Sequence, residues 1–327
     1  MRMLVTGASG FIGKYVVQEA LRRGYQVRAA IGLTSRAALP WQGHPAVEVV
    51  NVDLRGDAEV VKGMDVVIHL AAVTGGSYDQ QLAGTVTATE TLLEAMQKAE
   101  VRRLVAISTF SVYDYLRCAP GTTIREESPL ESVPQHRDVY AQTKLLQEQL
   151  VRHFEHQGGQ VTILRPGIVY GRDRLWNAYL GAKARNLWLR IGTDAQVPLI
   201  YVENCAEAVV LAADSEAAIG KTINLVDDEL PTQQEYAAKV MQHLPSKPRT
   251  ISISWGAMNA LAGTVDWCNR RLLGGRAKLP GILVPARLHA RFKPLRYDNT
   301  QAKRTLNWQP QYALDSALER CSRAELG

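Results

Sequence analysis

The sequence predicts an α/β fold, a doubly wound parallel sheet of the Rossmann kind with a smaller C-terminal substrate-binding lobe, and three observations predict it. Short apolar runs alternate with helical stretches from Met3 to Leu164. A glycine-rich turn stands between the first run and the first helix. The run Val66 to Ala72 (Val-Val-Ile-His-Leu-Ala-Ala) has the character of a parallel strand buried on both faces.

Taken in order, Met3-Leu4-Val5 reads as a buried strand, Thr6 to Gly10 as a tight turn, and Ile12 onward as a helix. Gly7, Gly10 and Gly13 are spaced so that N–H groups of the turn and the helix N-terminus reach a pyrophosphate without a Cβ in the way. Glycines also fill ordinary turns, so the placement between strand and helix carries the reading. Gly13 to Arg23 has helical apolar spacing and Gly24 closes it. Strands follow at 25–31 and at 47–52, the latter ending at Asp53-Leu54. A helix is expected over 82–98, a strand over 103–108, a helix over 138–156 and a strand over 161–164. Beyond Gly171 the rhythm changes. Residues 172–198 are basic and aromatic, 199–202 form a short strand, 204–213 a helix, 222–226 a strand and 231–244 a helix, with a break at 245–248. This divides the chain into a cofactor-binding domain over 1–170, with 200–228 packing back onto it, and a substrate lobe from 171–199 and 229–327.

A chain of 327 residues with 46% hydrophobic residues can bury a substantial core. Four widely spaced cysteines suggest neither a zinc site nor a disulfide framework and fit a reducing compartment. The first strand starts almost at Met1, leaving no room for a signal peptide, so the expected location is the cytoplasm. The net charge is +6, yet residues 267–297 alone hold eight Lys/Arg and no Asp or Glu, so the remainder is slightly acidic. One local segment carries the excess, which argues against a nucleic-acid reader. Residues 251–265 carry no charge but are shorter than the ~20 needed to span a bilayer. A helix there with Trp255, Met258, Leu261 and Val265 on one side reads as a core-facing or lid helix. Peripheral membrane contact through 251–297 is the alternative.

Cofactor choice should be written at the end of the second strand, where an acid binds the ribose hydroxyls of NAD and a base accommodates the extra phosphate of NADP. The strand ends Ala30-Ile31-Gly32 and Ser35-Arg36 follows, so Arg36 points to NADP. Asp53 is placed to accept from an adenine amine, or to cap a helix over 54–63. The decisive pair is Tyr140 and Lys144, at i and i+4 on one helix face. A phenol with a pKa near ~10 is a poor base at neutral pH, and a neighbouring ammonium makes it usable. Upstream, at the carboxyl end of a strand, Ser108-Thr109-Phe110-Ser111 offers hydroxyls for the same substrate oxygen. His69, His136 and His153 have no ligand partner at metal spacing, and no metal is assigned.

Thr6-Gly-Ala-Ser-Gly-Phe-Ile-Gly13, His69-Leu-Ala-Ala72, Leu92-Leu-Glu-Ala95, Ser108-Thr-x-x-Val-Tyr113, Tyr140-x-x-x-Lys144 and Leu164-Arg-Pro-Gly-Ile-Val-Tyr-Gly171 stand in an order that resembles the extended short-chain dehydrogenase/reductase family, the branch with NAD-dependent epimerases and dehydratases. The resemblance implies that Gly7, Ser9, Gly10, Phe11, Ile12 and Gly13 hold the pyrophosphate. It places Asp53 and Leu54 at adenine, Leu70, Ala71 and Ala72 at the cofactor ribose, and Pro166 and Gly167 at the nicotinamide. Tyr140 becomes the acid/base, Lys144 binds the nicotinamide ribose and lowers the phenol's pKa, and Thr109 is the catalytic hydroxyl, with Ser108 and Ser111 as alternatives in register. Two departures stand out. Thr85 occupies a position where family members often have Asn, and Val197-Pro198 replaces an Arg-Asp pair common in nucleotide-sugar enzymes. The 251–297 region is similar to that of 3β-hydroxysteroid dehydrogenase-like members, which act on hydrophobic alcohols and ketones. The implied chemistry is hydride transfer with NAD(P) on a small-molecule carbinol or ketone, or, in the alternatives, epimerisation or dehydration with retained NAD, or an inactive nucleotide-binding sensor or scaffold. A homodimer through the tyrosine helix is implied by the resemblance.

Overall fold

Strand by strand, the central sheet runs Lys221–Leu225, Gln160–Pro166, Arg103–Ile107, Val66–His69, Arg2–Thr6, Gln26–Ile31, Val47–Asn51, every neighbour parallel. The computed structural model describes residues 1–56, 59–172, 174–184, 187–192, 194–242 and 249–322. Alternate side chains of each strand feed two apolar layers. Met3 and Val5 pack with Val16, Val17 and Ala20 of the helix Phe11–Arg22 and Val209 of the helix Val202–Asp214. Leu4, on the other face, packs with Leu92, Met96, Val151 and Phe154. From Arg2–Thr6 the strands are added first to one side and then to the other. That reversal opens a crevice at the carboxyl ends of Arg2–Thr6 and Val66–His69, where ligands bind in such sheets.

The Val66 to Ala72 run is strand only as far as His69, because Leu70 N–H bonds Thr6 O and Ala71 N–H bonds the Thr6 hydroxyl, turning the chain across the glycine turn. The helix expected over 82–98 begins at Tyr78, where Ser77 and Gln80 form a capping box, and it carries a π-helical turn at Leu82–Thr87 before continuing as Ala88–Lys98. At that turn Gly84 lies against Val73, whose Cγ2 would be 2.2 Å from an added Cβ.

Residues 172–198 contain strands Ala182–Ala184 and Leu187–Ile191, the latter joined in parallel by Arg249–Ile253. The charge-free segment from Ile251 is therefore strand first and helix second. Ile251 and Ile253 complete a three-stranded sheet, and Ser254 then caps the helix Trp255–Leu272 through Ala257 N–H at 3.2 Å. That helix buries Met258, Ala262 and Asn269; Leu261, expected on the inner stripe, is 46% exposed, because the face in contact follows i, i+4 and i+11 from Met258. The helix expected over 231–244 is seen as Gln233–Gln242, and the break expected at 245–248 lies outside the described residues.

Candidate active site

The glycine turn is shaped by backbone meeting backbone. Gly7 has φ +69°, and a Cβ on it would meet Ala71 N at 2.9 Å. Gly13 sits one helical turn into Phe11–Arg22, where a Cβ would lie 2.2 Å from Gly7 O. Gly7 gives the turn and Gly13 lets the helix close on it. Beyond the turn a groove of about 820 Å³ is lined by Gly7, Ser9, Gly10, Asp53, Leu54, Leu70, Ala71 and Ala72 among the expected residues. Cradle, depth and uncharged turn fit the pyrophosphate and nucleoside of a dinucleotide.

Other expected residues stand elsewhere. Phe11, Ile12 and Gly13 are outside the groove lining: Ile12 packs under the sheet, and Phe11 packs in the apolar cluster around Tyr170 beneath the Arg174 guanidinium at 4.8 Å. Arg36 is exposed and does not line the groove. The lining cation is Arg55, which the sequence reading passed over although it stands two residues after Asp53. Asp53 caps no helix; it accepts from Arg55 N–H at 3.0 Å and grips the guanidinium at 2.6–3.1 Å, which holds its carboxyl down to about 2. Gly167, at the carboxyl end of the strand Gln160–Pro166 next to Arg103–Ile107, does not line the groove and is pressed on Pro198, where a Cβ would be 2.2 Å from Pro198 O, and Pro166 is buried in its strand. Val73, Gln80 and Gly84 extend the groove where the π-turn bends the helix, a feature with no short sequence signature. Thr85 orients this wall, its hydroxyl accepting from Val73 N–H at 3.0 Å.

Tyr140 and Lys144 lie on the helix Val139–His156, capped by Asp138 through Ala141 N–H at 3.0 Å. Thr109 follows the strand Arg103–Ile107, and its side chain stands close enough to the Tyr140 phenol to favour its ionised form. The Thr109 oxygen also accepts from Ser111 N–H at 3.2 Å, whereas the Ser108 hydroxyl is buried without a partner among the described residues. Of the three candidate hydroxyls, Thr109 is the one beside the phenol. Burial raises the Tyr140 pKa and Thr109 opposes it. Two of the Lys144 ammonium's donors are turned to Ile107 O at 2.5 Å and to Gln147 Oε1. Burial brings Lys144 down to about 8, against an upward pull from Glu148. A protonated phenol beside a hydroxyl, with a lysine titrating near neutrality one turn on, can give or take a proton at a substrate oxygen.

His69 is buried between the Thr6 and Thr89 hydroxyls at 2.8 and 2.9 Å, and burial depresses it to about 3. The basic segment divides. Arg287 Nη2 donates to Arg137 O at 3.2 Å and Arg291 stands 3.8 Å from Asp138, which ties the C-terminal region to the start of the tyrosine helix, while Lys293 donates to Tyr115 O at 2.8 Å in the loop beyond Thr109. Arg270, Arg271, Arg276 and Lys278 remain exposed.

Residues 3–225 match the NAD dependent epimerase/dehydratase family. The chain is 26% identical to a 3-beta-hydroxysteroid dehydrogenase of Mycolicibacterium neoaurum, the alignment covering 98% of this chain and 90% of that one. It is 27% identical to a 2-alkyl-3-oxoalkanoate reductase of Stenotrophomonas maltophilia, covering 98% of each. Among solved structures it is similar in fold to the UDP-glucuronic acid 4-epimerase of Bacillus cereus in complex with NAD, with a TM-score of 0.72 at 21% identity, covering 98% of this chain and 97% of that one.

Proposed function

The chain belongs to the NAD dependent epimerase/dehydratase family, within the extended short-chain dehydrogenase/reductases, and from that premise we propose that it is a net oxidoreductase acting on the carbinol or ketone carbon of a small, hydrophobic substrate. When bound, the nicotinamide supplies or accepts the hydride. Gly7, Ser9 and Gly10 hold the pyrophosphate, Asp53 and Leu54 meet the adenine, and Leu70 to Ala72 support the ribose. Tyr140 gives its proton to the substrate oxygen during reduction and takes it back during oxidation. Thr109, whose hydroxyl stands beside the phenol, orients that oxygen. Lys144 carries the positive charge that makes a phenolate tolerable: two of its three N–H donors are held by Ile107 O and Gln147 Oε1, and the third would meet the cofactor ribose.

The observation that carries net redox chemistry over nucleotide-sugar epimerisation is Val197-Pro198. Val197 is buried and Pro198 gives its carbonyl to Ile168 N–H at 2.6 Å, so an apolar corner stands where nucleotide-sugar enzymes often place a cation. The two curated relatives, a dehydrogenase and a reductase, support the same reading. We read residues 1–170 with 200–228 as the cofactor-binding domain and the rest as the substrate lobe. NADP is the proposed form, on the uncharged end of Gln26–Ile31 and on Arg55 as a cation that lines the groove. A cytoplasmic homodimer completes the proposal, with Trp255–Leu272 as a lid helix and peripheral membrane contact through 251–297 as the alternative; among the described residues no helix is long and apolar enough to cross a membrane.

The test is the cofactor content of the purified protein followed by a carbonyl and alcohol panel. Exchangeable NADPH with turnover supports the proposal, whereas NAD retained without net turnover supports an epimerase or dehydratase. Nucleotide binding with no turnover on carbonyls or sugars indicates a sensor. On an identified substrate, Tyr140→Phe is expected to lower kcat by on the order of 10²–10⁴ with little change in cofactor affinity. Wild-type rates in that variant overturn the assignment.

A further inference from the structure

The Lys144 ammonium is held by a group that no part of the proposed mechanism uses. Gln147, one turn on, accepts from Lys144 Nζ through Oε1 and donates from Nε2 to Thr89 Oγ1 at 2.9 Å. Chemistry fixes this orientation of the amide, since flipping it would set its NH2 against an ammonium. The Thr89 hydroxyl donates to Thr85 O at 2.6 Å, so its oxygen is an acceptor toward both Gln147 and His69. His69 Nε2 therefore carries the ring proton, and Nδ1 accepts from the Thr6 hydroxyl at 2.8 Å. Thr6 Oγ1 in turn accepts from Ala71 N–H at 3.3 Å. Each link of this chain pairs one donor with one acceptor, and Lys144, Gln147, Thr89, His69 and Thr6 are all buried. It begins at the proposed catalytic lysine and ends on the backbone of a groove-lining residue.

We propose that Gln147 is a positioning residue of the site: it holds the Lys144 ammonium through its carbonyl and, through Thr89 and His69, locks that placement to the loop at Ala71 that lines the groove. The inference rests on the reading of Lys144 as a working residue. The charged and titratable groups around the lysine are Glu148 on the same helix, itself paired with Arg165 at 2.7 and 2.9 Å, the neutral His69 from the strand Val66–His69, and Tyr140 one turn earlier. None of these replaces Gln147 as acceptor, so removing or charging its side chain acts on the lysine directly.

The experiment is the titration of Lys144 in the full-length, cofactor-free protein labelled with 13C-lysine, following the Cε resonance assigned by its loss in Lys144→Arg. Gln147→Met removes the acceptor at similar length and is expected to lower the Lys144 midpoint by about one pH unit. Gln147→Glu adds a carboxylate and is expected to raise it by about as much or more. Opposite signs in the two variants, with thermal midpoints near that of the parent, support the proposal, since a loss of packing would not invert with charge. Unmoved midpoints, or shifts of one sign in both, overturn it. If Gln147→Met does not fold, Gln147→Glu alone decides: an upward shift supports the inference and none overturns it. Because no turnover is read, failure of the oxidoreductase proposal leaves this titration interpretable, and a null titration leaves that proposal standing.

Discussion

The glycine turn and the helix Trp255–Leu272 are held in opposite ways. At the turn, backbone atoms occupy the space where Cβ atoms of Gly7 and Gly13 would lie, so each position is determined by several others at once. The helix rests on Met258, Ala262 and Asn269, while Leu261, Trp267 and Leu272 face outward. A groove that must fit one invariant cofactor gains from the first arrangement, because its groups are in place before the ligand arrives. The lobe proposed to meet the substrate gains from the second, because outward side chains of that helix change without disturbing the sheet.

The largest way to break that contrast is Gly13→Ala. The added methyl would lie 2.2 Å from Gly7 O, and neither the turn nor the helix has a flexible side chain to yield there. The expected result is a loss of about 1–3 kcal/mol in denaturant unfolding together with at least a tenfold weaker cofactor Kd by titration. Parent-like stability and affinity in this variant would show that the turn is less constrained than its geometry indicates.

The same contrast explains what could be read before the coordinates. Gly7, Gly10, Gly13, Tyr140 and Lys144 depend on spacings within one or two turns of chain, and the sheet strands on runs whose apolar pattern is self-contained, so these were legible. Gln147 was not, since its meaning lies in Thr89, 58 positions away, and that of His69 in Thr6, 63 positions away. Ile251 to Ile253 is not separable by sequence from the helix that follows, because a short apolar run fits either state until its partner Leu187–Ile191 is known. Arg36 was preferred to Arg55 because position after a strand was the only guide; which cation lines the groove depends on the fold of the next loop.

A smaller effect comes from the buried chain beneath the turn. His69 is held neutral to about pH 3, whereas an unfolded histidine titrates near 6.5. Between those values the unfolded state binds the extra proton, so stability from this group is present above about pH 6.5 and is lost as pH falls toward 3, at about 1.4 kcal/mol per pH unit. His69→Gln keeps a donor and an acceptor but does not titrate. Denaturant midpoints from pH 7 to pH 4 should therefore fall less steeply in the variant than in the parent, and the difference cancels the contribution of other groups. Equal slopes would mean that the histidine is not the group that resists acid.

The smallest effect on folding is expected on the outer face of the helix Trp255–Leu272, and there it sharpens the contrast. Trp267 is 61% and Leu272 71% exposed, with Arg270 and Arg271 beside them. Replacing both with Ser should change stability by no more than about 0.5–1 kcal/mol, since little apolar area leaves the core. The alternative of membrane contact asks more of these side chains than folding does, because an apolar face with cations at its end partitions to an anionic bilayer interface. Co-sedimentation with vesicles containing anionic lipid should thus be salt-sensitive in the parent and reduced several-fold in the double variant. Binding that ignores salt and lipid charge, or that survives both substitutions, would remove the membrane role and leave this face as a solvent-exposed lid, free to vary where the glycine turn is not.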